Sequence, residues 1–160
     1  MSGRASVIGK KGAVRDLAWG PDGRLKFALM RQLLALRQRL PDVFTNGSYR
    51  PLAVVGPNRG EIVAFARLGE RNAVIVVSGR LFGHATQGGR RWPPGQAWNA
   101  SVLAEGFSAM RTVLAVEKTM TGPSLAAADL FDVLPIAVLQ AQYAPAKRER
   151  PRTKVSAAAK

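Results

Sequence analysis

The strongest hydrophobic pattern in the chain is a repeat of helical period between Arg24 and Leu40. This segment is rich in Leu, Ala, Arg, Gln and Met, residues that favour helices. Pro41 should end the helix, because a proline disfavours helical geometry in the residue before it. On the other side, Pro21-Asp22-Gly23 has turn chemistry, and either of its last two residues can cap the helix start.

The predicted helix has two apolar stripes rather than one. At about 100° per residue, one stripe contains six residues, namely Leu25, Ala28, Leu29, Leu33, Leu36 and Leu40. Phe27, Met30 and Leu34 fall on the opposite side. The flanks between the stripes are basic, with two residues on each: Arg24 and Arg31, then Lys26 and Arg37. A helix on a single sheet needs one apolar stripe, so this pattern predicts a helix between two layers.

Beyond residue 42 the pattern changes to short strands joined by turns. The predicted strands are residues 49–55, 61–68, 73–78, 98–103, 111–118 and 135–142. Pro51 places the first at a sheet edge. The second and third form a hairpin, and the Val and Ile content of the third predicts a central strand. Residues 80–97 are expected to form a long irregular loop, and residues 125–134 a short helix or a strand plus turn.

Consecutive strands without interleaved helices predict a mainly β fold. We expect an antiparallel β-sandwich preceded by one long α-helix. The predicted organisation is a disordered N-terminal segment at residues 1–16, the helix region at 17–41, the β-sandwich domain at 42–143 and a disordered basic tail at 144–160.

The formal charge of the chain is +14, and much of it lies at the two ends. Residues 144–160 carry six basic residues and one acidic residue, and residues 1–16 carry four basic residues and one acidic residue. A basic chain suggests nucleic-acid binding, because Lys and Arg release counterions from phosphates. This distribution instead favours solubilising terminal segments, so nucleic acid is not the expected partner; polyanion binding through the tail is kept as an alternative.

The sequence offers little catalytic chemistry. It has no cysteine and a single histidine, His84, in a glycine-rich loop, so no metal site and no cofactor are expected. Phosphate-binding glycine motifs are absent, and the carboxylates form no catalytic constellation. There is no secretory signal and no apolar run of membrane-spanning length, which predicts a cytoplasmic protein.

Several segments together resemble one enzyme family. They are Trp19-x-x-Asp22-Gly23-Arg24-x-Lys26, the run LLALRQRLPDVFTNGSYRPL (residues 33–52), the strands at 62–68 and 73–78, Trp98, and TMTGPSL followed by ADLFDVLPIAVL (residues 119–139). Residues 17 to 140 are similar to the C-terminal region of maltooligosyl trehalose synthases, which belong to the α-amylase superfamily.

The resemblance implies a fold and an activity. The segment 24–40 would correspond to the last helix of a (β/α)₈ barrel, with one stripe facing the barrel strands and the other facing a C-terminal β-sandwich. The family enzyme is an isomerase of trehalose biosynthesis. It converts the reducing-end α-1,4 linkage of a maltooligosaccharide into an α,α-1,1 linkage by intramolecular transglucosylation. Its catalytic Asp and Glu lie on barrel strands that have no counterpart in these 160 residues, so no catalytic residue is carried over and no activity is expected from the chain alone.

The resemblance also implies partners and contacts. The expected partner is a catalytic barrel polypeptide, or a second copy held through the helix, and the chain would be a structural domain, a split subunit or a gene remnant. Trp19, Asp22, Arg24 and Lys26 are the candidate contacts to a maltooligosaccharide, unless they only cap and salt-bridge the helix at the barrel rim. In the alternative of a glucan-binding module, Trp92 and Trp98 would stack on sugars, whereas tryptophans more often anchor a core or a loop.

Overall fold

The computed structural model describes residues 23–114 and 117–143. The predicted segments 1–16 and 144–160, with Trp19 and Asp22, lie outside the described residues. Three α-helices are present in the described part: α1 (Arg24–Arg39), α2 (Pro41–Thr45) and α3 (Ala127–Leu130). The described part also has nine strands: β1 (Ser48–Pro51), β2 (Val54–Val55), β3 (Ile62–Leu68), β4 (Asn72–Gly79), β5 (Ser101–Leu103), β6 (Phe107–Thr112), β7 (Thr119–Met120), β8 (Ser124–Ala126) and β9 (Ile136–Tyr143).

Helix α1 begins and ends close to the predicted positions. Gly23 occupies its N-cap with a φ of 73°, a left-handed conformation that glycine adopts without steric cost. Leu40 leaves helical geometry before Pro41, as predicted. The proline then starts α2, because its fixed φ suits the first residue of a helix. The sequence pattern did not predict this second short helix.

The larger sheet has six strands in the order β1-β3-β4-β9-β6-β7, with antiparallel pairing throughout. The predicted hairpin is confirmed as β3 and β4, which pair from Ile62 opposite Gly79 to Leu68 opposite Ala73. Strand β4 is central, since it also pairs with β9. Pro51 lies on the edge strand β1, where its missing N–H costs no hydrogen bond within the sheet.

The smaller sheet has the order β2-β5-β8 and packs on one face of the larger sheet. Val102 and Leu125 from the smaller sheet share a core with Ile75 and Leu139 from the larger one. This arrangement confirms the predicted antiparallel β-sandwich preceded by a long helix.

Helix α1 covers the other face of the larger sheet. Leu36 and Leu40 pack in a second core with Val74 and Val138, the residues whose side chains point away from the smaller sheet. The larger sheet is therefore the middle of three layers.

Three predicted strands need correction. The predicted strand 111–118 is wrong, because β6 lies earlier, at Phe107–Thr112. A register shift between Ser108 and Arg111, with Ala109 at a φ of 47°, interrupts the alternation there and hides the strand from pattern analysis. The segment 49–55 is divided between the two sheets as β1 and β2, and only Ser101–Leu103 of the predicted strand 98–103 is extended in a sheet.

The remaining loop predictions agree with the structure. Residues 80–97 are irregular except for two short 3₁₀ turns, Gly83–Ala85 and Gly95–Ala97. The ambiguous segment 125–134 contains both alternatives, since β8 leads directly into α3. None of the helices in the described residues has the length and apolarity to span a membrane.

Arg67 fastens the helical corner to the larger sheet. From β3, its half-buried guanidinium donates hydrogen bonds to three backbone carbonyls: Val43 at 3.1 Å, Phe44 at 3.4 Å and Gly47 at 2.8 Å. These carbonyls lie at the end of α2, where a helix leaves acceptors without intrahelical partners. Gly47 allows its own backbone to lie close to the Val43 carbonyl oxygen, since a Cβ at this position would overlap that atom.

We predict that Arg67→Met destabilises the protein by about 2–3 kcal/mol, because three carbonyls lose a charged donor in a partly buried site. Urea unfolding would measure the change. Arg71→Met, an exposed arginine in the β3–β4 turn, is the matched control and should stay within about 0.5 kcal/mol of the unaltered chain. Equal effects of the two substitutions would contradict the anchoring role of Arg67.

Candidate functional site

The most unusual surface of the described chain is the solvent-facing side of α1. Phe27, Met30 and Leu34 expose 59%, 51% and 55% of their surface. We call these three residues the outer stripe. They lie opposite the stripe that contains Leu36 and Leu40, which are buried against the larger sheet. The two stripes predicted from sequence therefore differ in environment, since one packs on the larger sheet and the other faces solvent.

Apolar exposure also occurs on the neighbouring part of the larger sheet. Tyr49 is 61% exposed and Val63 is 41% exposed. Both lie on the face of the sheet that α1 covers. Val63 pairs with Ser78, which points to the same face as Val74, and Tyr49 pairs with Arg67, which itself pairs with Val74. The Tyr49 ring lies 5.2 Å from the ring of Phe65 on the adjacent strand. This side of the molecule thus presents apolar surface from three elements, α1, β1 and β3.

Basic side chains border the outer stripe. Lys26 and Arg37 lie on one flank and Arg31 on the other, and all three are exposed. Helix α1 contains five basic residues and no acidic residue. The stripe is therefore an apolar surface framed by positive charge, a composition suited to contact with another macromolecule rather than with solvent.

Two of the four predicted substrate contacts lie at the start of this helix. Arg24 and Lys26 are both exposed in the first turn of α1. Because they are two positions apart, they point in directions that differ by about 200° around the helix axis. The described residues do not bring these two side chains together in one pocket. Their contact with a sugar stays a prediction, as does that of Trp19 and Asp22 outside the described part.

Trp98 is a core residue rather than a sugar platform. Only 3% of its surface is exposed, and its ring packs edge-on against Phe131 at 4.9 Å and Phe82 at 5.7 Å. Gly79 lies against the outer atoms of the six-membered ring of the indole, where a Cβ would collide with them. Trp92 is half-buried and packs edge-on against Phe82 at 6.2 Å, which anchors the irregular loop. The interpretation of Trp98 as a stacking residue is therefore wrong.

A cavity of about 280 Å³ lies between the β6–β7 connection and the start of β9. Its floor is apolar, and its rim includes Glu117, Lys118, Asp129 and Asp132. The Lys118 ammonium lies 3.4 Å from Asp129, and Arg111 lies 3.9 Å from Glu117. These ion pairs are solvent-exposed, where such pairs contribute little free energy. Across residues 23–114 and 117–143, no cluster of side chains has the composition of a metal site.

Comparison with solved structures finds a mutant form of maltooligosyltrehalose synthase from Arthrobacter ramosus. The sequence identity is 23% and the TM-score is 0.51. The match covers 79% of this chain but 15% of that chain, so the protein described here spans a small part of the enzyme it is similar to. No protein-family model and no curated protein matches the chain. The likeness supports a distant structural relationship and the shared fold.

We predict that Trp98→Ala lowers the free energy of unfolding by about 3–5 kcal/mol, because it leaves a cavity between the sheet and α3. Trp92→Ala should cost less, because the side chain of Trp92 is only half-buried. Urea unfolding of both variants compares them directly. A Trp98→Ala protein as stable as the unaltered chain would contradict the assignment of Trp98 to the core.

The outer stripe should bind a fluorescent hydrophobic dye. We expect the triple substitution Phe27→Ser, Met30→Ser and Leu34→Ser to reduce dye fluorescence and to lower the unfolding free energy by about 1 kcal/mol per residue, because each side chain is about half buried. Leu36→Ala on the buried stripe is the control, and alone should destabilise the protein by about 2–5 kcal/mol. Undiminished dye binding by the triple variant would contradict the assignment.

Proposed function

We propose that this chain acts as the C-terminal, non-catalytic domain of a maltooligosyl trehalose synthase-type enzyme. Its role is to pack against a catalytic (β/α)₈ barrel, with α1 as the last helix of that barrel. The single observation that carries the proposal is the outer stripe, a row of large apolar side chains left uncovered by the described fold. The structural likeness to a segment of maltooligosyltrehalose synthase supports the choice of partner.

The two stripes of α1 have separate tasks in this proposal. The stripe with Leu36 and Leu40 holds the helix on the domain's own sheet. The outer stripe faces the barrel strands. Full burial of a Phe, Met or Leu side chain is worth about 1.5–3 kcal/mol, and the three residues of the stripe are already about half buried. Their complete burial would therefore add about 2–5 kcal/mol before the cost of association is subtracted.

The proposed activity belongs to the assembly and not to this domain. The barrel would supply the nucleophilic Asp and the acid/base Glu that the family uses in its intramolecular transglucosylation. This domain would complete the barrel wall with α1, which keeps the neighbouring barrel strands covered. The barrel comes either from another part of a longer polypeptide or from a separate subunit.

The segment around the start of α1 is the proposed point of contact with substrate. Arg24 and Lys26 are exposed there, and Trp19 and Asp22 precede them in sequence. At the rim of a barrel, cationic side chains can donate hydrogen bonds to sugar hydroxyls. In this proposal the four residues assist maltooligosaccharide binding without taking part in bond cleavage.

A chimeric enzyme tests the proposal. The segment of a maltooligosyltrehalose synthase that this chain matches would be replaced by residues 17–143 of the chain, which include Trp19 and Asp22. We predict that the chimera converts maltohexaose to a product without a reducing end, whereas the enzyme with the segment deleted does not. The consumption of reducing ends measures the reaction directly.

Matched substitutions in the chimera examine the role of the outer stripe. Met30→Glu with Leu34→Glu should abolish the conversion, because charges would be buried against the barrel. Val55→Glu is the control, since Val55 is exposed on the smaller sheet, away from α1. A chimera no more active than the deletion, or a stripe variant as active as the control, would count against the proposed function.

A further inference from the structure

We infer that the basic border of the outer stripe, formed by Lys26, Arg31 and Arg37, determines which kind of partner surface docks there. It favours a protein surface that is apolar at its centre and lined with carboxylates, and it disfavours a second copy of this chain. The inference rests on the proposed function only in using the same docking surface, and it deepens that proposal by naming the charge of the partner.

The border follows from the positions of the charges on α1. Phe27 and Leu34 are seven residues apart, which is almost two full turns, and Met30 lies beside them. Arg31 lies on one side of this stripe, and Lys26 and Arg37 lie on the other. These cations are exposed, and α1 contributes no carboxylate to offset them.

Symmetric self-association would bring like charges together. A two-fold dimer places the same patch of both copies face to face, so the Lys26, Arg31 and Arg37 of each copy would border a shared seam. Packed helices have axes about 8–10 Å apart, which is within the screening length of about 10 Å at moderate salt. The repulsion would oppose the burial of Phe27, Met30 and Leu34.

A partner with carboxylates around an apolar centre would attract the border cations instead of repelling them. Each border cation would face an acceptor, and hydrogen bonds between charged groups are stronger than neutral ones. Complementary charges also speed the encounter and fix the register of two surfaces. The outer stripe would then supply contact area while Lys26, Arg31 and Arg37 supply discrimination between partners.

Sedimentation velocity of the full chain tests whether the basic border disfavours self-association. We expect a monomer in about 50 mM NaCl. The variant Lys26→Gln/Arg31→Gln/Arg37→Gln should form dimers under the same conditions, because repulsion across the seam is lost. Arg59→Gln/Arg90→Gln/Arg91→Gln removes the same charge from exposed positions outside α1 and should remain monomeric. A dimer of the unaltered chain, or a border variant no more associated than the control, would overturn the inference.

Two designed peptides test the preferred chemistry. Both are amphipathic helices of about 18 residues with a leucine stripe, bordered by Glu in one and by Lys in the other. Fluorescence anisotropy should detect binding of the Glu-bordered peptide, weakening about tenfold between about 50 and about 500 mM NaCl, and little binding of the Lys-bordered peptide.

Substitutions separate docking from general attraction to a basic protein. Phe27→Ser/Leu34→Ser should abolish binding of the Glu-bordered peptide, whereas Leu81→Ser, at an exposed leucine in the 80–97 loop, should not. Equal binding of both peptides, or unchanged binding by the stripe variant, would overturn the inference. An inactive chimera with intact peptide selectivity would instead reject the proposed function alone.

Discussion

The rest of the structure depends on strands β4 and β9, which carry apolar side chains on both faces and bury both. Successive side chains of a strand point to opposite sides, so Ile75 and Leu139 face one core while Val74 and Val138 face the other. Apolar side chains on both faces require a layer on each side of the sheet. The smaller sheet supplies one layer and α1 supplies the other. The three-layer order follows from the composition of these two strands.

Covering the sheet uses only half of the apolar surface that α1 carries. A helix can lay one stripe on a sheet, and the opposite stripe then points away from it. The hydrogen bonds from Arg67 to the end of α2 fix the chain directly after α1, which helps to hold the helix in one rotation about its axis. Packing of Leu36 and Leu40 on the larger sheet sets the rotation of the helix, so the outer stripe faces away from the sheet.

Charge and apolar surface act together on α1. The described residues hold 14 basic and 7 acidic side chains, so this part of the chain is basic without its ends. General positive charge would favour any anionic surface, whereas the outer stripe adds a requirement for apolar contact. If α1 docks on a partner as proposed, the combination restricts the class of partner surface more than either property does alone. The cavity beside β9 has no comparable feature, since its ion pairs are exposed and its floor belongs to the cores of the domain itself.

Local signals in the sequence determined the helix from Arg24, its end before Pro41, the β3–β4 hairpin and the edge position of Pro51. Each depends on periodicity or backbone chemistry within a few residues. Pattern alone misplaced β6, because the irregularity around Ala109 breaks its alternation, and it left Trp98 open to two interpretations. Only the tertiary structure decided which stripe of α1 is buried. Periodicity gives the angle between two stripes, but contact with Val74 and Val138, residues distant in sequence, decides which of them meets the sheet.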